Sequence, residues 1–198
     1  MFVVLEGLDG CGKSTQARLL VAALERLGRD PIHLREPGGT WLGEQLRALL
    51  LRPDARIGPL AELALYTAAR AELVEERIRP SRGARPVVLE RYYYSTVAYQ
   101  GHGLGLDGEW IAQLNRRMTG GLEPDRVLLL DLEPDEARRR IQRPSDRIEG
   151  RDVEFFARVR EGYLAQARAQ PRQWVVLEAR GDAEAIHRRA WEAVRDLV

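Results

Sequence analysis

The fold of this chain is decided by one stretch near its N-terminus, Val3-Val4-Leu5-Glu6-Gly7-Leu8-Asp9-Gly10-Cys11-Gly12-Lys13-Ser14-Thr15. Its first three residues form an apolar run that is short enough for a buried strand. The pattern G-x-x-x-x-G-K-S/T follows, and apolar residues then recur at steps of three and four up to Leu27, which predicts a helix. A glycine loop between a strand and a helix is the setting in which this pattern binds phosphate groups.

The loop from Gly7 to Thr15 is therefore a candidate site for the phosphates of a nucleotide such as ATP. We expect Lys13 to reach the outer phosphates and the Ser14 hydroxyl to bind Mg²⁺. Lys13 is the only lysine in a chain that otherwise uses arginine, which suggests a position where a compact ammonium group is required. The alternative, a glycine turn before an ordinary helix, is disfavoured because the pattern is complete and correctly flanked.

Composition limits the class of protein. The chain has 198 residues, 44% of them hydrophobic and 31% charged, which suits one α/β domain with a proper core. Its net charge of +1 gives no global field for nucleic-acid binding, and no apolar run is long enough to span a membrane. Cys11, the single cysteine, excludes an intrachain disulfide and could be a redox-sensitive thiol or a filler of the loop. Because the N-terminus leaves no room for a signal peptide, we expect a cytoplasmic protein.

Strand-like apolar runs alternate with amphipathic helical segments, which is typical of a parallel α/β sheet. We expect one domain over residues 1–198, with a glycine-dense irregular segment at 101–105 and a polar, proline-broken segment at 143–150 that suits a mobile lid. The predicted strands are 3–5, 32–34, 87–89, 126–132 and 174–177, and the predicted helices are 17–27, 41–51, 60–78, 107–118, 134–142, 152–169 and a last one capped by Asp182.

Charged residues at strand ends are the next candidates. Glu90 follows an apolar strand and could hold Mg²⁺ through water, although it could also be a surface glutamate at the edge of the sheet. Phosphoryl transfer requires positioning and charge neutralisation, so arginines must converge on the transferring group. The candidates for that role are Arg35, Arg47, Arg70, Arg91, Arg143 and Arg147.

The chain resembles the thymidylate kinase family in six segments that follow one another along nearly its whole length. The resemblance implies a P-loop NTPase fold of the nucleoside monophosphate kinase type, with a five-stranded parallel sheet flanked by helices. It also implies transfer of phosphate from ATP to dTMP, a requirement for Mg²⁺ and a homodimer. The six segments are Leu5 to Gln16, Arg35-Glu36-Pro37-Gly38-Gly39-Thr40, Tyr66-Thr67-Ala68-Ala69-Arg70, Arg91-Tyr92 to Ser95, Ala98-Tyr99-Gln100-Gly101 and Asp146-Arg147-Ile148-Glu149.

The resemblance implies that four residues bind the base of dTMP. Tyr66 takes a position that is usually phenylalanine and stacks on thymine, and its hydroxyl then needs a partner or water. Arg70 contacts the carbonyl edge of the base. Thr96 and Gln100 help to read it, since an amide offers both a donor and an acceptor.

The resemblance also implies the residues around the reacting groups. Asp9 contacts the 3′-hydroxyl of the sugar, and Arg91 bridges the acceptor phosphate and the transferred group. Glu36 and Arg47 line the acceptor site.

Position 10, which carries a catalytic arginine in one subclass of the family, is a glycine in this chain. The resemblance then implies the bacterial subclass, in which the lid supplies the basic residue. Arg143 is the expected residue, with Arg140 as the alternative. The predicted catalytic residues are therefore Lys13, Asp9, Arg91 and Arg143.

Glu90 departs from the Asp-Arg pair that is usual in the family. A glutamate-arginine pair at this strand end is also similar to deoxynucleoside kinases, so phosphorylation of deoxythymidine itself remains an alternative. A GTPase is disfavoured because no second lysine is present for its guanine motif. A non-catalytic scaffold is disfavoured because Lys13 and Ser14 are both in place.

Overall fold

The computed structural model describes residues 1–142 and 146–198. In these residues five strands form one parallel sheet, which confirms the predicted α/β class. The order of the strands is β2-β3-β1-β4-β5, and each neighbouring pair is parallel. The strands are β1 Phe2–Glu6, β2 Ile32–Arg35, β3 Val87–Glu90, β4 Arg126–Asp131 and β5 Trp174–Glu178.

The first strand lies at the centre of the sheet, and all five of its residues are buried. The register pairs Leu5 with Glu90 on one side and with Leu128 on the other. The loop that follows Glu6 and the carboxylate at the end of β3 therefore emerge at the same edge of the sheet. Ligands of open α/β sheets bind at this carboxyl edge.

Helices flank the sheet, and four of the longer ones begin at a side-chain cap. Thr40, Asp107, Asp152 and Asp182 each accept a hydrogen bond from a backbone N–H of the first helical turn. The predicted cap at Asp182 is thereby confirmed. The helices are α1 Lys13–Arg26, α2 Trp41–Leu51, α3 Pro59–Leu73, α4 Arg79–Ser81, α5 Tyr93–Thr96, α6 Gly108–Met118, α7 Pro134–Arg139, α8 Val153–Ala169 and α9 Ala183–Glu192, with π-helical turns at Val74–Ile78 and Val97–Gly103 and a 3-10 turn at Arg195–Leu197.

The glycine-dense segment 101–105 differs from its prediction, because its first three residues belong to the π-helical turn Val97–Gly103. A Cβ atom at Gly103 would lie 2.5 Å from the ring of Phe155, so the missing side chain allows α8 to pack directly on this turn. Packing against α8 thus outweighs a helix penalty of about 1 kcal/mol per glycine. Such π-helical turns are frequent at functional sites, and this one carries Gln100.

Two predicted helices have different ends. The helix predicted at 60–78 is α-helical over Pro59–Leu73 and continues as a π-helical turn. The helix predicted to reach residue 142 ends at Arg139. Periodicity marks the existence of a helix better than its last turn. Among residues 1–142 and 146–198, none of the helices combines the length and the apolar run that crossing a bilayer requires.

Candidate active site

The loop between β1 and α1 lines an open cleft at the carboxyl edge of the sheet. Gly12 caps α1 in the left-handed conformation and has no side chain to satisfy the first N–H groups of the helix. These N–H groups lie at the positive end of the helix dipole and are available to phosphate oxygens. The local geometry therefore suits the phosphate site that the sequence predicts.

The Lys13 ammonium group is folded back over this loop. Its Nζ donates hydrogen bonds to the carbonyl oxygens of Gly7 at 2.9 Å and Leu8 at 2.8 Å, and it lies 3.8 Å from Asp9 Oδ1. A phosphate in the loop would give this charge a stronger partner than neutral carbonyls do. The thiol of Cys11 beside it is buried, and burial raises its pKa, which favours a space-filling role over a reactive thiolate.

Gly10 packs against the helix α7. Its φ is +83°, and a Cβ atom there would lie 2.1 Å from the carbonyl oxygen of Ala137. No larger residue fits without movement of the loop or of α7. The glycine that the sequence marks as a departure from one subclass is thus required by the packing of this chain.

The two predicted metal ligands are in contact. Ser14 Oγ donates to Glu90 Oε2 at 2.5 Å, and Glu90 Oε1 lies 2.8 Å from His33 Nε2. Burial acts to raise the pKa of Glu90, but the hydrogen bonds from His33 and Ser14 leave it below its usual value, so the group is a carboxylate at neutral pH. A carboxylate and a hydroxyl beside a phosphate loop fit Mg²⁺, which usually takes its other ligands from water and phosphate. In the described part of the chain no cluster of three or more His, Cys, Asp or Glu side chains could hold a metal by itself.

A second cavity opens beside the loop cleft. All eight residues that the sequence predicted to bind the acceptor line this cavity, although they come from distant parts of the chain. The cavity is lined by Asp9, Glu36, Pro37, Arg47, Leu51, Tyr66, Arg70, Arg91, Ser95, Thr96, Tyr99, Gln100, Asp146 and Ile148.

Arg91 lies at the junction of the cavity and the cleft. Its φ is 65°, a left-handed conformation that is uncommon outside glycine. Its guanidinium group donates to Asp9 Oδ1 at 2.7 Å, to Ser95 Oγ at 3.1 Å and to the hydroxyls of Tyr163 and Tyr99 at 3.0 and 3.2 Å. Burial acts to lower the pKa of Arg91, but Asp9 and the other partners raise it well above its usual value. A strained backbone that is held by so many side chains is typical of a functional residue.

Arg70 and Glu36 form a buried ion pair at the wall of the cavity. Arg70 Nε donates to Glu36 Oε2 at 2.7 Å, and its two Nη atoms donate to Asn115 Oδ1 at 2.9 Å and to the Tyr92 carbonyl at 3.4 Å. Burial raises the pKa of Glu36 to about 7 despite the nearby Arg70 charge. Among the described residues no hydrogen-bond partner is found for the buried atoms Glu36 Oε1 and Thr96 Oγ1. These atoms offer a ligand two unused polar positions.

Glu62 binds Gln100 and lies near enough to Tyr66 to affect its pKa. Gln100 Nε2 donates to Glu62 Oε1 at 2.8 Å, and Glu62 also forms ion pairs with Arg147 and Arg151. Burial, with a contribution from Glu62, raises the pKa of Tyr66, so that its phenol stays neutral. Arg147 is thus bound on the acceptor side of the site.

Sequence reasoning missed Glu62, Tyr99 and Tyr163, and it interpreted His33 as an ordinary strand residue. Glu62 lies one helical turn before Tyr66 on the same face of α3, which was the available signal. Nothing in the sequence places the two tyrosines, because they reach Arg91 from separate elements. The contact between His33 and Glu90 follows only from the pairing of β2 with β3.

Arg143, the predicted catalytic residue of the lid, lies outside the described residues. Arg140, its alternative, lines the loop cleft. There its Nη atoms donate to the Ala179 carbonyl at 2.9 Å and to Glu136 at 2.7 Å.

The sequence of this chain is similar to those of known proteins over nearly its whole length. The sequence model of a family described as thymidylate kinase matches residues 5–190. The thymidylate kinase of Synechococcus sp. (strain JA-2-3B'a(2-13)) is 47% identical over 195 residues, covering 98% of this chain and 94% of that protein. The thymidylate kinase of Caldanaerobacter subterraneus subsp. tengcongensis is 41% identical over 200 residues, covering 100% of this chain and 96% of that protein.

The fold has a solved counterpart. The crystal structure of thymidylate kinase from Ehrlichia chaffeensis superposes with a TM-score of 0.83 at 30% identity, and the match covers 98% of each chain. The predicted P-loop NTPase fold is thereby confirmed. The identities, the coverage and the fold agree, and this chain belongs to the thymidylate kinase family.

Proposed function

We propose that this protein transfers the γ-phosphoryl group of ATP to dTMP, giving ADP and dTDP. The observation that carries the proposal is the junction of the two cavities, because Asp9, Glu36, Arg47 and Arg91 line both of them. A donor on the phosphate loop and an acceptor in the cavity would meet at this junction, which is the arrangement that direct in-line transfer requires. Membership of the thymidylate kinase family supports the same reaction.

The charged residues would position the reacting groups and neutralise their charge. Lys13 would leave the loop carbonyls for the outer phosphates of ATP, and Arg91 would bridge the acceptor phosphate and the transferred group. Arg143 would supply a further positive charge. Ser14 and Glu90 would hold Mg²⁺, which supplies charge neutralisation at the phosphate oxygens.

The remaining residues of the cavity would bind the acceptor nucleotide. The Asp9 carboxylate would accept a hydrogen bond from the sugar 3′-hydroxyl, and Tyr66 would stack on the face of thymine. Arg70 already uses Nε and both Nη atoms in the structure, but it retains N–H groups that could donate to a carbonyl of the base. Thr96 and Gln100 would complete the contacts with the base.

Phosphorylation of deoxythymidine is the less favoured function. The Glu90-Arg91 pair, followed by Tyr94-Ser95, is the sequence feature that suggested it. The guanidinium groups of Arg47 and Arg91 both line the acceptor cavity, and two positive charges suit an acceptor that carries a phosphate. The family match also favours dTMP.

Three further features remain proposals. We propose that segment 143–150, of which the structure describes residues 146–150, is a lid, since Asp146 and Ile148 line the acceptor cavity. We propose a homodimer, which would cover apolar side chains such as Trp110 on α6 and Leu60 on α3, exposed by 45% and 62%. We also propose a cytoplasmic setting, where ATP is available, and no nucleic-acid partner.

Identification of the product tests the proposed function. The protein is incubated with ATP, Mg²⁺ and dTMP, and the nucleotides are separated by anion-exchange chromatography. The proposal predicts ADP and dTDP in equal amounts. Binding of ATP without any dTDP would instead support a non-catalytic scaffold. The Lys13→Ala variant is the control for contaminating kinases, because the proposed reaction depends on this residue.

A further inference from the structure

Glu62 is a buried carboxylate that the proposed reaction does not use. It lies in the first turn of α3 and is 1% exposed. Its Oε1 accepts a hydrogen bond from Gln100 Nε2 at 2.8 Å, and its Oε2 lies 2.8 Å from Arg147 Nη1 and 2.7 Å from Arg151 Nη2. A buried charge is costly unless it is paired, so the two arginines and Gln100 together make this position tolerable.

The carboxylate determines which end of the Gln100 amide faces it. An ionised carboxylate accepts hydrogen bonds and cannot donate one, whereas an amide has an accepting oxygen and a donating NH₂ group. The opposite orientation of Gln100 would bring two oxygen atoms into contact at 2.8 Å. Only the NH₂ group can therefore face Glu62. The amide oxygen is the atom left for the acceptor cavity, which Gln100 lines.

We propose that Glu62 sets the base specificity of the site by fixing the orientation of the Gln100 amide. This inference rests on the proposed function, in which Gln100 reads the base of dTMP. Thymine carries an N–H donor at N3, which matches an amide oxygen. Cytosine carries an acceptor nitrogen at N3, which would face the same oxygen without a hydrogen bond. Glu62 is thus a positioning residue, because it acts on the base only through Gln100.

The same carboxylate also anchors one wall of the cavity. Arg147 Nε donates to the Leu50 carbonyl at 2.9 Å, and the Arg151 guanidinium lies 4.5 Å from the centre of the Phe155 ring. These contacts hold residues 146–151 against α2, α3 and α8. The two arginines accept no hydrogen bonds, so they keep an oxygen atom of residue 62 directed toward them.

Replacement of Glu62 by glutamine should weaken the preference of the site for thymine over cytosine. The arginines would attract the oxygen of the new amide, and its NH₂ group would then face Gln100. Because two NH₂ groups cannot bond to each other, Gln100 would turn and direct its own NH₂ group into the cavity. We expect the ratio of kcat/KM for dTMP to kcat/KM for 5-methyl-dCMP to fall by at least about tenfold in Glu62→Gln, the loss of about one hydrogen bond.

An exchange of the two side chains gives an independent test. The single variant Gln100→Glu places two carboxylates in contact, and its kcat/KM for dTMP should fall by about a hundredfold. The double variant Glu62→Gln/Gln100→Glu restores every hydrogen bond, because the amide at 62 donates to the carboxylate at 100, which presents its other oxygen to the cavity. Its kcat/KM for dTMP should exceed that of Gln100→Glu by at least about tenfold.

Arg151→Gln is the matched control, because it removes one partner of the same carboxylate without touching Gln100. It should leave the dTMP to 5-methyl-dCMP ratio within about twofold of the wild-type ratio, whatever its effect on KM. An unchanged ratio in Glu62→Gln would overturn the proposal. If circular dichroism shows that Glu62→Gln does not fold, the double variant decides the test. A double variant that is unfolded, or whose kcat/KM for dTMP does not exceed that of Gln100→Glu, would contradict the proposal. Lack of wild-type turnover of dTMP would instead refute the proposed function.

Discussion

The Glu36 carboxylate should make the stability of this protein depend on pH in a direction that is unusual for an ion-paired acid. Burial raises its pKa from 4.5 to about 7 in the folded protein, although Arg70 acts to lower it. The folded state therefore binds the Glu36 proton more tightly than the unfolded state does. This contribution to stability is fully present below about pH 4.5 and is lost as the pH rises through about 7.

The size of the effect follows from the shift. Each pKa unit corresponds to about 1.4 kcal/mol, so the contribution of Glu36 to the free energy of unfolding should change by about 3 kcal/mol between pH 4.5 and pH 7.5. Glu36→Gln keeps the shape of the side chain but cannot titrate. We therefore expect the free energy of unfolding of the wild type, minus that of Glu36→Gln, to decrease by an amount of this order across the interval and to level off above it.

Urea unfolding followed by tryptophan fluorescence at half-unit pH steps measures this difference. Glu44→Gln is the control, because its pKa is lowered, first by the hydrogen bond from the Gly39 N–H, so its contribution is lost as the pH falls and has the opposite slope. Parallel pH profiles for the wild type and Glu36→Gln would refute the account of the buried Glu36–Arg70 pair.

Three further predictions concern the phosphate side of the site. Lys13→Ala and Arg143→Ala should each lower kcat by about a hundredfold or more in a coupled assay of ADP release, and an unchanged kcat for Arg143→Ala would move its role to another residue. Gly10→Ala should lower the free energy of unfolding by about 2 kcal/mol, because its Cβ would lie 2.1 Å from the Ala137 carbonyl oxygen; an unchanged urea midpoint would show that the loop can shift freely. Glu90→Gln should raise the Mg²⁺ concentration for half-maximal activity by about tenfold or more and weaken Mg·ATP binding in calorimetry, whereas equal Mg²⁺ titrations of variant and wild type would exclude Glu90 as a ligand.

The order of the elements could be predicted from the sequence because it depends on short-range patterns. The stretch around Lys13 has its strand, loop and helix within a few residues, and each is marked by local periodicity or by glycine. The secondary-structure predictions failed where contacts between distant parts of the chain determine the local conformation. The π-helical turn that ends at Gly103 is stabilised by the contact with α8, and the ring of Phe155 that makes this contact is about fifty residues away in sequence.

The acceptor cavity could be predicted only through the family resemblance. Tyr66 on an amphipathic helix looks like a core residue, and no periodicity brings it together with Gln100. The role of Glu62 was missed because a glutamate in the first turn of a helix usually faces water, and its helical spacing from Tyr66 is only a weak signal. Its burial depends on Arg147 and Arg151, which come from a different part of the chain. Partners of buried charges that lie far apart in sequence are the part of a site that a single sequence does not reveal.

The central claim is that the cavity beside the phosphate loop accepts a thymidine nucleotide that already carries one phosphate. It is tested most directly by kcat/KM for dTMP and for deoxythymidine at saturating ATP and Mg²⁺. The shared wall with Arg47 and Arg91 predicts a preference for dTMP of at least about a hundredfold, because two charge-assisted contacts would be lost with deoxythymidine. Equal values, or a preference for deoxythymidine, would contradict the account.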